Sequence, residues 1–202
     1  MSTGAQSLTR KQILSAALKR FAHSGYAATS VQQIVSDARV SKPALYYHFK
    51  DKAGLFQALV DEAHDERYRL MRAAAEDSRE LRTQLVAIVA SLFDYLKKNR
   101  ELMRIAFATA FAAPGELPKG LSYLEKCERN FEFIHSLMKR AAKAGVLNRR
   151  FTPRDLANAF YGQLNSCLAS HLLMPDSPLN RAAAARMVDL FLTGAAAKKR
   201  AG

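Results

Sequence analysis

Residues 29–52, TSVQQIVSDARVSKPALYYHFKDK, constrain this chain more than any other stretch. Their spacing predicts two short helices meeting at a tight corner, followed by the start of a third. Thr29 and Gln32 stand three apart, the separation of a capping box in which the hydroxyl accepts a backbone N–H and the amide reaches back. Val31, Ile34, Val35 and Ala38 then recur at helical period and give a helix over 29–37 one buried face. Arg39-Val40-Ser41 is the break. Ser41 is a good N-cap, and Pro43 follows in a first turn, where its missing N–H is not needed. Leu45 and Phe49, four apart, turn inward. Lys42, Pro43, Ala44, Tyr46, Tyr47 and His48 are left outward. A short helix exposing a lysine, two tyrosines and a histidine suits a DNA surface better than bulk water.

The run Ser41-Lys42-Pro43-Ala44-Leu45-Tyr46-Tyr47-His48-Phe49, with Lys52 and Leu55 beyond it and Thr29, Ile34, Ala38 and Val40 in register before it, resembles the helix-turn-helix signature of the tetracycline-repressor (TetR) family. The resemblance covers roughly residues 8–60 and rests on many positions at fixed spacing. There are two departures: Arg39 stands where the family usually has a turn glycine, and Val35 where it usually has a small alanine. A non-glycine residue in a left-handed turn costs about 1–2 kcal/mol. An extra cation near a phosphate is what Arg39 can return for that strain.

Charge agrees with a polyanionic partner. The chain of 202 residues carries a net +13, which points to nucleic acid or an acidic membrane. Eight basic residues (Arg10, Lys11, Lys19, Arg20, Arg39, Lys42, Lys50 and Lys52) face only Asp37 and Asp51 within residues 1–52, so nearly half the surplus sits with the helix-turn-helix. The hydrophobic fraction of 49% is enough for a real core, and no long alternating run argues for strands. The expected fold is all-α: a three-helix DNA-binding head over 1–60 and a helical effector-binding and dimerisation bundle over 61–202, about nine helices in total. Cys127 and Cys167 lie far apart in apolar helical patterns and imply no disulfide framework. The first residues lack an apolar signal core, and no apolar run is long enough to span a bilayer, so a cytoplasmic protein without membrane contact is expected.

Along the chain, residues 1–7 read as a loose arm and Leu8–Ser24 as helix one, closed by Gly25. Asp51 caps a helix that runs to about Ala75, leaving no flexible linker between head and bundle. Glu76-Asp77-Ser78 reads as a corner. Helices follow over about 79–99, 100–112 (stopped by Pro114-Gly115), 121–144, 153–174 and onward from the Pro175–Pro178 break to about Ala197. Thr152-Pro153-Arg154-Asp155 is an N-terminal signal by both cap and proline. A basic Lys198-Lys199-Arg200 tail ends the chain.

Enzyme chemistry finds little support. There is no Gly-x-Ser-x-Gly elbow, no glycine-rich phosphate loop and no Cys/His pair with a local signature. Asp61, His64 and Asp65 share a helical face that is better read as solvated and balanced by Arg67, Arg69 and Arg72 than as a metal site. No metal or cofactor is expected.

Each DNA-facing residue has a role. Thr29 and Ser30, at a helix N-terminus, can donate to phosphate with the backbone N–H groups there. Ser41, Lys42, Pro43 and Ala44 open the recognition helix; Lys42 favours guanine O6 and N7, and the Ala44 methyl suits a thymine methyl. Gln33 adds a contact from helix two. The resemblance makes Tyr46, Tyr47, His48 and Lys52 phosphate clamps, with His48 also able to reach a base edge.

In the second part, Leu164, Leu168, Leu172, Met187, Phe191 and Gly194 form a second apolar face on the last two helices. That face is expected to pair with its copy in a homodimer, as the resemblance also implies. Phe93, Met103, Phe107, Phe111, Phe131, Met138 and Tyr161 make an apolar cluster larger than a small bundle needs, and Cys127 is counted with its candidate effector contacts. The cluster corresponds to the region where the family holds an effector, with Arg104, Tyr161 or Asn165 orienting a polar end. The expected function is a dimeric regulator, a repressor released from a palindromic operator in double-stranded DNA by a small, largely apolar effector. Two other readings stay open. One is an effector-independent architectural or nucleoid-associated protein, the other a helical enzyme or carrier using the apolar region.

Overall fold

A computed structural model describes residues 2–76, 78–113, 115–176 and 178–195 of the chain. These residues form nine α-helices and no β-strand: α1 (Ser2–Ala28), α2 (Val31–Ala38), α3 (Lys42–Phe49), α4 (Lys52–Glu76), α5 (Leu81–Lys98), α6 (Arg100–Phe111), α7 (Leu124–Lys143), α8 (Pro153–Leu173) and α9 (Arg181–Ala195). Asp77, Pro114, Ser177, the end of the last expected helix (196–197) and the Lys198-Lys199-Arg200 tail lie outside the described residues. The expected loose arm is instead the first turns of α1, since nothing in residues 2–7 except Gly4 opposes a helix. Gly25, with φ of 77°, breaks the helical backbone near the end of α1, where the sequence places its stop.

The capping box of α2 lies one residue further on than the Thr29–Gln32 spacing implies. Ser30 is the N-cap; its Oγ accepts the Gln33 N–H at 3.2 Å, and Gln33 Oε1 accepts the Ser30 N–H at 2.8 Å. Thr29 is drawn inward instead and donates its hydroxyl to the Gly25 carbonyl at 2.7 Å. At the other end Arg39 adopts φ 54°, ψ 44°. Its N–H donates to Ser36 and that of Val40 to Val35, the paired bonds that close a helix through a left-handed residue. Ser41 Oγ accepts the Ala44 N–H to start α3, with Pro43 in the first turn. Asp51 then accepts the Gly54 N–H at 2.7 Å and starts α4. A Cβ at Gly54 would lie 2.3 Å from the Phe49 carbonyl oxygen, so only glycine lets α4 begin this close to the end of α3.

The helices gather into two compact units. The first takes the described residues of Met1–His64 and Arg100–Leu124. Its core is Ile13, Ala17 and Phe21 of α1, Ile34, Val35 and Ala38 of α2, Leu45 and Phe49 of α3, and Leu55, Phe56 and Leu59 of α4. Val35, bulkier than the family's usual residue, is absorbed at 4% exposure. Arg20 of α1 holds Asp37 of α2 by two hydrogen bonds of 2.5 and 2.8 Å. Gln57 exchanges bonds with the Ser122 backbone at 2.7 and 2.9 Å, which pins the later loop to α4.

The second unit takes the described residues of Asp65–Asn99 and Glu125–Gly202. Leu85, Ile88, Val89, Leu92, Phe93 and Leu96 form the buried stripe of α5, which packs with α8 and α9. Phe160 meets Phe191 edge-on at 5.3 Å. Arg82 pairs with Asp189 across α5 and α9, and Asp65 receives Lys126 and Arg129 from α7. The capping box at Thr152 and Asp155, with Pro153 behind it, starts α8 as its sequence predicts. Among the described residues no helix is long and apolar enough to cross a membrane.

Candidate nucleic-acid interface and effector region

The inner face of α3 is fixed by Leu45, which is fully buried, and by Phe49 at 6% exposure. Lys42, Pro43, Tyr46 and Tyr47 are consequently exposed, Tyr47 to 72%. Ala44 and His48 flank them at intermediate depth, and His48 meets the Tyr47 ring edge-on at 5.1 Å. Two large rings are thus held in water by a helix whose other side is locked. Ser41 and Arg39 are exposed just before them, and Ser30 and Gln33 stand exposed at the start of α2. The carboxamide oxygen of Gln33 is committed to the cap, so its NH2 is the donor it can offer outward.

Two of the expected DNA contacts are structural. Thr29 is 2% exposed, and its hydroxyl is spent on Gly25. Lys52 donates its ammonium to the carbonyls of Tyr26 at 2.9 Å and Thr29 at 2.7 Å, and sits 4.2 Å above the centre of the Tyr26 ring. These carbonyls lie in the last turn of α1 and just past it, where a cation is favoured. Burial pushes its pKa down. Lys52 therefore ties the start of α4 to the end of α1 and to Thr29 just after it. Its neighbour in sequence, Asp51, gives no hint of this; a lysine one residue past a cap reads equally well as a phosphate ligand.

The expected effector residues divide between the units. In the first, Met103 is buried, Arg104 is exposed, Phe107 is half-buried and Phe111 is 86% exposed. Phe111 ends α6 pointing into water. A recess of about 370 Å³ does open there, lined by Phe21, Tyr26, Phe56, Ile105, Thr109 and Leu117, none of which the sequence singles out as effector contacts. In the second unit Phe93 is plain core at 2% exposure. Phe131 and Tyr161 meet edge-on at 6.0 Å beside Asn165 and the half-buried Cys127. Burial raises the Cys127 thiol pKa, against the pull of Arg67.

The solvated face expected around His64 and Arg67 is not found: His64 is 4% exposed, and Arg67 is buried as well. Expected on a solvated face, it is 5% exposed, donates to Asn165 Oδ1 at 2.8 Å and to the Tyr161 hydroxyl at 3.5 Å, and lies 5.8 Å from the Tyr161 ring centre. A signal for this exists in the sequence: Ala63, Arg67 and Met71 recur every four residues and continue one buried stripe. Arg69 and Arg72 do stay on the outer face, paired with Glu66 and Glu76. Among the described residues no group of three or more His, Cys, Asp or Glu is placed to hold a metal ion.

The expected seam residues are mostly used within the chain. Leu164 and Leu168 are fully buried, and Met187 and Phe191 nearly so. They are spent on the packing of this unit, where α5, α8 and α9 meet and Phe160 of α8 touches Phe191 of α9. Leu172 is half-buried and Gly194 exposed. The apolar surface that remains outward on these helices is Leu173, at 81% exposure, and Leu190, at 69%, with Gly194 also exposed.

A family model described as bacterial regulatory proteins, tetR family, matches residues 13–59. The HTH-type transcriptional regulator TtgR of Pseudomonas putida is 35% identical over 175 residues, 84% of this chain and 82% of that one. The HTH-type transcriptional activator FasR of Mycolicibacterium smegmatis is 34% identical over 98 residues; the match spans about half of each protein, 48% of this chain and 45% of that one. The solved SmeT–triclosan complex is similar in fold, with a TM-score of 0.77 at 21% identity over 94% of this chain and 92% of that one.

Proposed function

Because this chain belongs to the tetR family of bacterial regulatory proteins, we propose that it is a homodimeric repressor that binds a palindromic operator and leaves it when a small, largely apolar effector binds. Residues 1–60 carry DNA recognition, and 61–202 carry the effector and dimer contacts. The observation that supports this most is the outer face of α3, where Lys42, Pro43, Tyr46 and Tyr47 are exposed on a helix locked from behind. Lys42 and Ala44 read base edges, while Tyr46, Tyr47 and the N-terminus of α2 at Ser30 grip phosphates. The dimer face is the exposed side of α8 and α9 around Leu173, Leu190 and Gly194. Two-fold symmetry then sets the half-sites about 34–36 Å apart, one helical turn of DNA or somewhat more.

Effector binding is assigned to the surroundings of Arg67, Tyr161 and Asn165, a polar group beside the Phe131 and Cys127 side chains. That the structurally similar SmeT is in complex with triclosan supports a ligand-binding role for the second part of this chain. Control passes through α4, a single helix from Lys52 to Glu76. An effector that favours a conformation with misplaced recognition helices lowers operator affinity, and a coupling of about 1–3 kcal/mol changes it 5- to 150-fold. FasR is named an activator, so a reporter fused to the operator decides the sign of control here.

Lys42→Ala tests the recognition role. It should relax sequence preference at one base-pair position per half-site, worth about 1–3 kcal/mol, while leaving the rest of the recognised sequence intact. An unchanged preference at every position removes Lys42 from base readout.

A further inference from the structure

Between α1 and the end of α2 lies an open groove of about 650 Å³, lined by Lys11, Gln12, Ser15 and Lys19 of α1 and by Asp37 and Arg39. Its electrostatics are one-sided. The Asp37 carboxylate is held by the Arg20 guanidinium through bonds of 2.5 and 2.8 Å, so the groove's acidic group is already neutralised by a residue outside its lining. Among the described residues Lys11, Lys19 and Arg39 form no ion pair, though the Lys19 charge lies close enough to Asp37 to help Arg20 lower its pKa. All three are exposed.

Position ties the groove to DNA. Arg39 precedes Lys42 by three residues, so their Cα atoms lie within about 11 Å of each other. Arg10, next to Lys11, places its guanidinium 5.1 Å from the centre of the Phe49 ring, so this part of α1 meets the C-terminal end of α3. Lys11 and Lys19 are eight helical residues apart, about 12 Å along the axis. That length covers two or three successive phosphates of one strand. The Arg39 backbone adds an independent sign. The chain holds an arginine in a left-handed conformation that favours glycine, and strain of this kind is retained where the side chain has a task.

We propose that Lys11, Lys19 and Arg39 form a second phosphate-binding track, which grips the DNA backbone outside the bases read by α3 and lengthens the operator footprint. This rests on the DNA-binding reading and extends it to residues that no base-reading role requires. The track is sequence-blind: it contributes affinity and salt dependence, not preference.

The test compares wild type with the Lys11→Ala/Lys19→Ala/Arg39→Gly triple variant by fluorescence anisotropy over a range of salt. Two labelled duplexes serve as probes. One carries the sequence that wild type selects from random DNA, trimmed to the bases it specifies; the other extends it by a helical turn on each side. On the long duplex the variant should bind more weakly, with a plot of log Kobs against log salt shallower by about 0.9 for each phosphate no longer neutralised. On the trimmed duplex the two proteins should converge. Arg39→Gly alone should melt no lower than wild type, which separates a binding defect from a folding defect. Equal salt slopes on the long duplex overturn the track, as does an equal loss of affinity on both duplexes. If wild type binds neither probe nor random DNA, it is the DNA-binding reading itself that falls.

Discussion

Two residues of the head make separable claims about why this corner holds. Gly54 has no room for a Cβ, which would stand 2.3 Å from the Phe49 carbonyl oxygen. Gly54→Ala should destabilise the protein by about 1–3 kcal/mol, the range for overpacking a fixed backbone, as read by urea unfolding; an unchanged midpoint would mean that α4 starts elsewhere. Lys52 donates to the Tyr26 and Thr29 carbonyls. Lys52→Met keeps the stem over the Tyr26 ring but removes the charged donor, so it should cost about 1.5–3 kcal/mol of stability. A variant that folds as well as wild type and loses only DNA affinity would restore Lys52 to the phosphate clamp. Legibility in the sequence differs by residue type. Leu45 and Phe49 are legible as core, and Tyr46 and Tyr47 as outward, because helical period fixes direction. Thr29, Lys52 and Arg67 are not, because polar residues take their role from tertiary partners that periodicity does not encode.

The elements are legible wherever cap and period agree. Ser41 with Pro43 starts α3, Thr152 with Asp155 and Pro153 starts α8, and Gly25 stops the regular part of α1. The capping box of α2 sits one residue later than expected because Thr29-x-x-Gln32 and Ser30-x-x-Gln33 are equally good sequences; the inward pull of Gly25 on Thr29 chooses between them. The larger difference concerns α8 and α9. Both have apolar residues on more than one side, and periodicity alone does not tell which side faces a copy. Leu164 and Leu168 are fully buried within the chain, whereas Leu173 and Leu190 stay outward. If this face joins two copies, Leu190→Glu should shift the sedimenting species from dimer to monomer without lowering helix content. A variant that stays dimeric puts the interface elsewhere.

For the whole molecule, acid stability follows from its ion pairs. Hydrogen bonds from Arg20, Arg69 and Arg82 hold the pKa values of Asp37, Glu66 and Asp189 below the ordinary carboxylate range. A depressed folded pKa means that these groups stabilise the protein fully above their unfolded values, near pH 4, and that this contribution is lost as pH falls through the folded values. The melting temperature should therefore drop as pH is lowered below about 4, with high salt reducing the effect because all three pairs lie at the surface. A melting temperature that holds steady through that range would show that the pairs do not persist in solution.

Everything proposed for this protein depends on specific recognition of DNA by two copies of α3. Selection of bound sequences from random duplex DNA, repeated at low and high salt, tests it most directly. The expected result is a palindrome whose half-sites lie about one helical turn apart, still recovered at the higher salt. Recovery of unrelated sequences, bound only at low salt, would contradict it and leave the basic head as a sequence-blind DNA-binding surface.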